Sequence, residues 1–395
     1  MLISFVSTSA VFIGLGLAVP AWFFALQCLA GAFRYKPRGA YKGRRPSVAV
    51  IVPAHNEETC ICATLETILP QLGTGDRLVV VADNCEDRTA ALARSLGAEV
   101  HERTDSVRRG KGYALDAGMR YLADAPCELA MVVDADCALD KGAVDSLAAI
   151  ATATRRPVQG RNLMKAPPGA AFDVKIAEFA YVVKNLVRPT GMLRLKLPSL
   201  LMGTGMIIPW HIICKADLAN EHIVEDMKLA FDVAQTGHAP TYCPEFGITS
   251  FFPQTEKGTI SQRRRWERGH LAMIGSAFGY LLRPRSIHTW QAFVLLIDRL
   301  IPPLTLFLAI LCLWAVQTGL LAAAGGSHAP FYIALCNLAV MLTATTVAWL
   351  SHGRAIIPPR MIGAVPGFIL RKLARYPARM WGGRGEGWVR TDRRT

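Results

Sequence analysis

The sequence predicts an α/β domain with a mainly parallel sheet, flanked by one N-terminal transmembrane helix and two or more C-terminal ones. Long apolar blocks without charge at both ends predict the membrane spans, and alternating strand and helix patterns between them predict the sheet. The chain has 395 residues, 52% of them hydrophobic, and a mean hydropathy of +0.27, which excludes a purely soluble protein. A charged fraction of 19% and ten scattered cysteines also exclude a disordered chain and a disulfide scaffold.

Two stretches are long enough to cross a bilayer. Residues 1–33 contain no Asp, Glu, Lys or Arg, which predicts one transmembrane helix rather than a signal peptide. A second uncharged block runs from 300 to 353 and carries the turn-like residues 325–328 at its centre. We therefore assign residues 286–353 to a C-terminal transmembrane hairpin and 354–395 to a basic tail.

The net charge of +14 comes entirely from segments beside the predicted spans. Residues 34–45 contribute six basic side chains, and the residues after Ser351 contribute ten basic and two acidic ones. The remainder is balanced, so no basic stripe is available for nucleic acid and no nucleic-acid partner is expected. The positive-inside rule puts both basic segments in the cytosol. We therefore expect a multi-pass protein of the inner membrane with a cytosolic catalytic domain at 46–285.

This domain alternates strand and helix patterns, which is typical of βαβ units. Short β-branched runs at 47–52, 77–82, 98–102 and 128–133 alternate with helical patterns at 57–69, 87–96, 111–122 and 141–153. Ligands of open α/β sheets bind at the carboxyl ends of the strands. Glu57, Asp83 and the pair Asp134-x-Asp136 follow three of these runs. Because extended backbone alternates its faces, Asp134 and Asp136 can share one divalent cation.

The later half carries two further polar clusters. Glu225-Asp226 opens a helical pattern, and Gln262-x-x-Arg265-Trp266 combines an amide, a guanidinium and an aromatic ring. Each motif also has an ordinary interpretation. The D-x-D could be a solvated turn, the E-D a helix cap and the basic cluster an interfacial anchor.

The order of these motifs resembles the membrane-bound family 2 glycosyltransferases, whose catalytic domain has the GT-A fold. Asp83, Asp134-x-Asp136, Glu225-Asp226 and Gln262-x-x-Arg265-Trp266 occur in the order of that family, over roughly 46–270. The tail 387–393 also resembles an ending of this group, whereas Val224 stands where synthases often have Thr. The resemblance implies an inverting transfer from a nucleotide sugar, with UDP as the expected nucleotide. The acceptor would be lipid-linked or a polysaccharide in exopolysaccharide biosynthesis.

The resemblance also implies a role for each residue. Asp226 is the expected general base, supported by Glu225, and Asp136 the expected ligand of Mg²⁺ or Mn²⁺. Small residues beside Lys111 would let its cation approach the nucleotide. The remaining expected contacts are to the nucleotide sugar (Glu57, Asp83, Lys111, Asp134, Gln262, Arg265) and to the acceptor (Trp266, Gly203, Thr204). The expected partners are the nucleotide-diphosphate sugar, a polyprenyl-linked or polysaccharide acceptor, and membrane lipids.

Several alternatives remain at this point. The protein could be a processive synthase that exports its own polymer, although such enzymes generally need more crossings. A sugar nucleotidyltransferase would need a Gly-rich loop after the first strand, which residues 53–57 do not supply. A non-enzymatic, nucleotide-sensing membrane protein would have no use for a base at Asp226. The basic segment 172–197 and the apolar segment 271–282 could lie on the membrane surface or pack within the domain.

Overall fold

The computed structural model describes residues 1–33, 35, 44–219, 225–252, 256–369 and 371, without the side chains of 256–268 and 284. Its centre is a mixed eight-stranded sheet in the order β3-β2-β1-β4-β7-β6-β8-β5. The strands are β1 Val48–Ala54, β2 Arg77–Asp83, β3 Glu99–Arg103, β4 Leu129–Val132, β5 Ala138–Leu139, β6 Val158–Lys165, β7 Met206–Pro209 and β8 Thr241–Phe251.

The sheet has a parallel half and a mixed half. β1 pairs in parallel with β2 and β4, and β2 with β3, which confirms the predicted βαβ units. The strands β7 and β5 run antiparallel to their neighbours, and β6 pairs in parallel with β8. The carboxyl ends of β1, β2 and β4 therefore meet at one edge, as the sequence predicts.

Helices cover both faces of the sheet and continue into the apolar termini. They are α1 Leu2–Gly31, α2 Ile61–Ile68, α3 Thr89–Ser95, α4 Lys111–Leu122, α5 Ala143–Thr154, α6 Phe172–Val182, α7 Arg188–Arg194, α8 Trp210–Ile213, α9 Glu225–Gln235, α10 Glu256–Leu281, α11 Trp290–Arg299, α12 Leu304–Ala323 and α13 Ala329–Ala348. Helix α2 begins four residues after the predicted start at 57, because a turn closed by the bond from Cys60 N–H to the Glu57 carbonyl (3.0 Å) precedes it.

Alternate residues of β1 pack into two different cores. Ala49 and Ile51 pack with residues of α4, α9 and α11 on one face. Val48 and Val50 pack with α2 and α5 on the other. This three-layer arrangement buries strands on both sides, which is why they read as continuous apolar runs in the sequence.

Three of the described helices are long and apolar enough to span a membrane: α1, α12, and α13 with its π-helical extension to Gly353. A third apolar cluster joins α1 and α12 to α13 and α6. Segment 172–197 forms α6, a π-helical turn at Val183–Val187, and α7. A Cβ on Gly191 of α7 would overlap the carbonyl of Gln27, so α7 packs backbone to backbone against the apolar helix α1.

Candidate active site

The D-x-D motif lies at the carboxyl end of β4 and forms an acidic cluster. One ligand atom each from Asp134, Asp136 and Cys137 lie within 4.8 Å of one another. Two carboxylates at this spacing fit Mg²⁺ or Mn²⁺, which prefer oxygen ligands. The Cys137 thiol is buried and donates to an oxygen of Asp136 at 3.3 Å. Cys137 was not predicted from the sequence, although its position directly after the motif could have indicated it.

Residues from distant parts of the sequence surround this cluster. The Lys111 ammonium pairs with Asp134 and donates to the Gly203 carbonyl at 2.8 Å. The backbone N–H of Asp134 donates to the Thr204 hydroxyl at 3.0 Å. A Cβ built on Gly203 would lie 3.3 Å from both Lys111 Nζ and Asp226 Oδ2. The structure thus brings Lys111, Asp134, Gly203, Thr204 and Asp226 into one cleft.

The carboxylates at the start of α9 have unusual electrostatics. Burial raises the pKa of Glu225 to about 7, with Asp226 adding to the rise and Lys111 opposing it. Burial also raises the pKa of Asp226, against the opposing charges of Lys184 and Lys111. The Met227 N–H donates to Asp226 Oδ1 at 2.8 Å. A buried carboxylate with a raised pKa is a stronger base than one in water.

Lys111 links the acidic cluster to these two carboxylates. Burial by itself would lower the pKa of Lys111, but the charges of Asp134 and Glu225 outweigh this effect and the pKa is raised. Lys111 therefore keeps its positive charge at neutral pH. A fixed cation at this place balances part of the negative charge in the cleft.

The other predicted nucleotide-contacting residues lie at neighbouring strand ends. Asp83, 6% exposed, ends β2 and accepts from Arg103 Nη1 at 2.5 Å and from Asn84 Nδ2 at 2.9 Å. Glu57 follows β1 and donates its backbone N–H to the Thr89 hydroxyl at 2.8 Å. The ion pair between Asp83 and Arg103 fixes this carboxylate and was not predicted from the sequence.

The residues that form one wall of the cleft were also not predicted from the sequence. The Tyr181 hydroxyl donates to Asn162 Oδ1 at 3.2 Å, and Asn162 Nδ2 donates to the Met202 carbonyl beside Gly203 at 3.3 Å. Lys184 follows Tyr181 at helical spacing in the π-helical turn, and its charge acts on Asp226. Local π-helical turns are frequent at functional sites. The i, i+3 spacing of Tyr181 and Lys184 was the available signal.

For three predicted site residues the structure describes the backbone only. Gln262, Arg265 and Trp266 belong to helix α10, but their side chains lie outside the described part of the chain. Val224 and the tail 387–393 also lie outside the described residues. The proposed contacts of these residues with diphosphate and acceptor therefore stay predictions.

Comparison with solved structures identifies the fold. The mannosyltransferase PcManGT from Pyrobaculum calidifontis, solved in complex with GDP-Man and Mn²⁺, superposes with a TM-score of 0.55 at 16% identity, covering 97% of this chain and all of that one. This similarity shows a GT-A-like fold and confirms the predicted fold class.

Comparison of sequences identifies the family. The probable glycosyltransferase YdaM of Bacillus subtilis (strain 168) is 26% identical over 247 residues, which cover 58% of this chain and 56% of the relative. The 4,4'-diaponeurosporenoate glycosyltransferase of Staphylococcus haemolyticus (strain JCSC1435) is 33% identical over 126 residues, 31% of this chain and 32% of that one. The match therefore spans about half the length of the first of these relatives and a third of the second. The family described as glycosyltransferase like family 2 matches residues 46–269, and the chain belongs to this family of transferases.

Proposed function

We propose that the protein is an inverting glycosyltransferase that moves a sugar from a nucleotide sugar, with UDP as the nucleotide, to a lipid-linked or polysaccharide acceptor at the inner membrane. Its product would enter cell-surface or exopolysaccharide biosynthesis. The observation that carries the proposal is the meeting of Lys111, Asp134 and Asp226 around Gly203, beside Asp136. A sugar nucleotidyltransferase would need a Gly-rich loop after β1, which residues 53–57 do not supply, and a nucleotide sensor has no use for a base at Asp226.

The proposed chemistry is a single displacement. Asp226 takes the proton of the acceptor hydroxyl, and the acceptor oxygen attacks the anomeric carbon from the side opposite the nucleotide. The bond from the anomeric carbon to the diphosphate oxygen breaks, and the nucleoside diphosphate leaves. One displacement inverts the configuration, so an α-linked donor gives a β-linked product.

Charge compensation on the leaving side supports this assignment. A divalent cation held by Asp136, with Asp134 and Cys137 nearby, would supply positive charge to the departing diphosphate. Lys111, already fixed by Asp134 and the Gly203 carbonyl, orients the same region. We assign diphosphate contacts to Gln262 and Arg265, because a guanidinium fork suits phosphate oxygens.

The assignments of the remaining residues complete the cleft. Glu57 and Asp83 are proposed to hold the nucleoside at the ends of β1 and β2. On the acceptor side, Gly203 and Thr204 would line the cleft. Trp266 is proposed as a platform for the acceptor sugar, because an aromatic face suits the C–H side of a pyranose.

The membrane helices support an acceptor at the bilayer. Three candidate spans flank the catalytic domain, and basic segments lie beside them. By the positive-inside rule the catalytic domain faces the cytosol, where nucleotide sugars are made available to it. The contact of α7 with α1 would keep the cleft close to the inner leaflet.

The proposal can be tested with the purified full-length protein and a panel of UDP- and GDP-sugars. We expect release of nucleoside diphosphate from one donor class in the presence of Mn²⁺ or Mg²⁺, and loss of release in EDTA. Asp226→Asn should abolish transfer, whereas Asp124→Asn, an exposed control in the same domain, should not. Equal activity of Asp226→Asn and the wild type would refute the proposed base.

A second experiment separates the two kinds of product. Membranes incubated with the labelled donor should give labelled material that extracts with lipid or remains a short intermediate. A long polymer accumulating inside sealed vesicles would instead support the processive, self-exporting synthase.

A further inference from the structure

Two consecutive residues at the end of α11 connect the candidate active site with the first apolar helix. Arg299 is 1% exposed, and its Nη2 donates to the carbonyl of Met227. Its guanidinium carbon lies 4.7 Å from the ring centroid of Phe231, one turn further along α9. Burial lowers the pKa of Arg299 to about 10, so it remains a cation at neutral pH. Arg299 therefore contacts the first two turns of α9, the first through a hydrogen bond and the second through a cation–π contact.

Met227 is the residue that follows the proposed base. Its N–H donates to Asp226 Oδ1 at 2.8 Å, while its carbonyl accepts from Arg299. The same residue is thus bonded to the base on one side and to a buried cation on the other. A movement of the Arg299 side chain would be transmitted to Asp226 through one residue of backbone.

Asp298 fixes this arrangement to the membrane helix α1. Its Oδ1 accepts from Gln27 Nε2 and from Arg188 Nη2, both at 2.6 Å. Arg188 Nε also donates to Gln27 Oε1 at 2.7 Å, which closes a triangle of three buried side chains from α1, α7 and α11. Each member has the other two as partners, so the triangle holds one relative position of the three helices.

We propose that Arg299 is a positioning residue that holds the Asp226 carboxylate in place through Met227. Asp298, the residue before it, anchors this end of α11 to α1 through Gln27 and Arg188. Buried ion pairs contribute little net stability, because desolvation offsets their attraction. The Nε of Arg299 finds no hydrogen-bond partner among the described residues, which adds to the cost of burying this cation. An apolar side chain would fill the space at lower cost. The need to hold Asp226 in one position explains why a cation is buried at position 299. This inference rests on the proposed role of Asp226 as the base.

The test compares Arg299→Lys and Arg299→Met with Arg283→Met, an exposed control. Each full-length protein is measured for kcat and donor KM, for binding of UDP with Mn²⁺, and for hydrogen exchange of the backbone at 225–231. We expect kcat of Arg299→Met to fall by about 30-fold, with UDP affinity within about twofold of wild type. Arg299→Lys, which keeps the charge but loses the fork, should recover part of kcat. Exchange at 225–231 should rise in both Arg299 variants and not in the control.

The outcomes distinguish this inference from the proposed function. Unchanged exchange at 225–231 in both Arg299 variants would overturn the positioning role, whatever the activity. The same holds if kcat and UDP affinity fall together, or if Lys restores nothing relative to Met. If Arg299→Met does not fold, the kcat of Arg299→Lys and its hydrogen exchange at 225–231 test the inference instead. An Asp226→Asn variant with full activity would instead overturn the proposed base, while the exchange result would still report on the link.

Discussion

Substitution of Gly203 by Ala should lower the rate of transfer, because the added Cβ would crowd Asp226 and Lys111. Gly203 has φ +80°, where an L-residue costs roughly 1–2 kcal/mol. Its new Cβ would lie 3.3 Å from Asp226 Oδ2 and from Lys111 Nζ, so both groups must move by a few tenths of an ångström. A misplacement of about 1 Å at a reacting centre can cost about 100-fold, so we expect kcat to fall by about tenfold.

The matched control is Gly97→Ala. Gly97 has φ +86°, and its Cβ would meet nothing within 4 Å. Both variants should therefore lose about the same stability, seen as Tm values lowered by about 2–8 °C. Only Gly203→Ala should lower kcat in the nucleoside diphosphate release assay. Full activity of Gly203→Ala, or an equal loss in Gly97→Ala, would show that the crowding around Asp226 does not matter.

The remaining predictions concern the pH dependence of stability, the nucleoside side and the membrane helices. Folded protein keeps a proton on Glu225 between its ordinary pKa of 4.5 and about 7, so this group's contribution to stability falls as pH rises through that window. Glu225→Gln cannot ionise, and we expect Tm measured from pH 5 to 8 to vary less in it than in wild type. Arg103→Met leaves the buried Asp83 carboxylate without its cation, which should weaken calorimetric binding of UDP with Mn²⁺ by about tenfold or more; unchanged affinity would place the nucleoside elsewhere. Gly191→Ala forces α7 away from α1 and should lower Tm, whereas Gly275→Ala, with open space around it, should leave Tm unchanged or slightly higher; equal effects would contradict the close packing.

The parallel half of the sheet could be predicted from the sequence, because β1, β2 and β4 are buried on both faces. The edge strand β3 is only partly buried. The runs at 47–52, 77–82, 98–102 and 128–133 match β1 to β4 within two residues. The mixed half could not be predicted in this way. β6 buries Gln159 and Asn162, whose amides bond to the loop before β7, so its pattern reads as polar. β5 has only two residues, and its pairing depends on β8.

The candidate site was predictable where its residues follow apolar strands. Asp83, Asp134 and Asp136 stand at strand ends, and the rules for open α/β sheets bring such positions together. Lys184 and Arg299 follow no strand. The first appears in the sequence as one cation of an amphipathic segment, and the second as the last charge before an apolar block. Their places depend on how the π-helical turn packs against α1 and how α11 packs against α9, which no local pattern encodes.

The central claim is that Asp226 removes a proton from the acceptor beside a nucleotide held at the D-x-D. The most direct measurement is transfer by full-length Asp226→Asn under single-turnover conditions, with binding of UDP and Mn²⁺ followed in the same preparation. The account predicts UDP affinity within about twofold of wild type and a rate of transfer lower by about 1,000-fold or more. Transfer at the wild-type rate with intact UDP binding would contradict it.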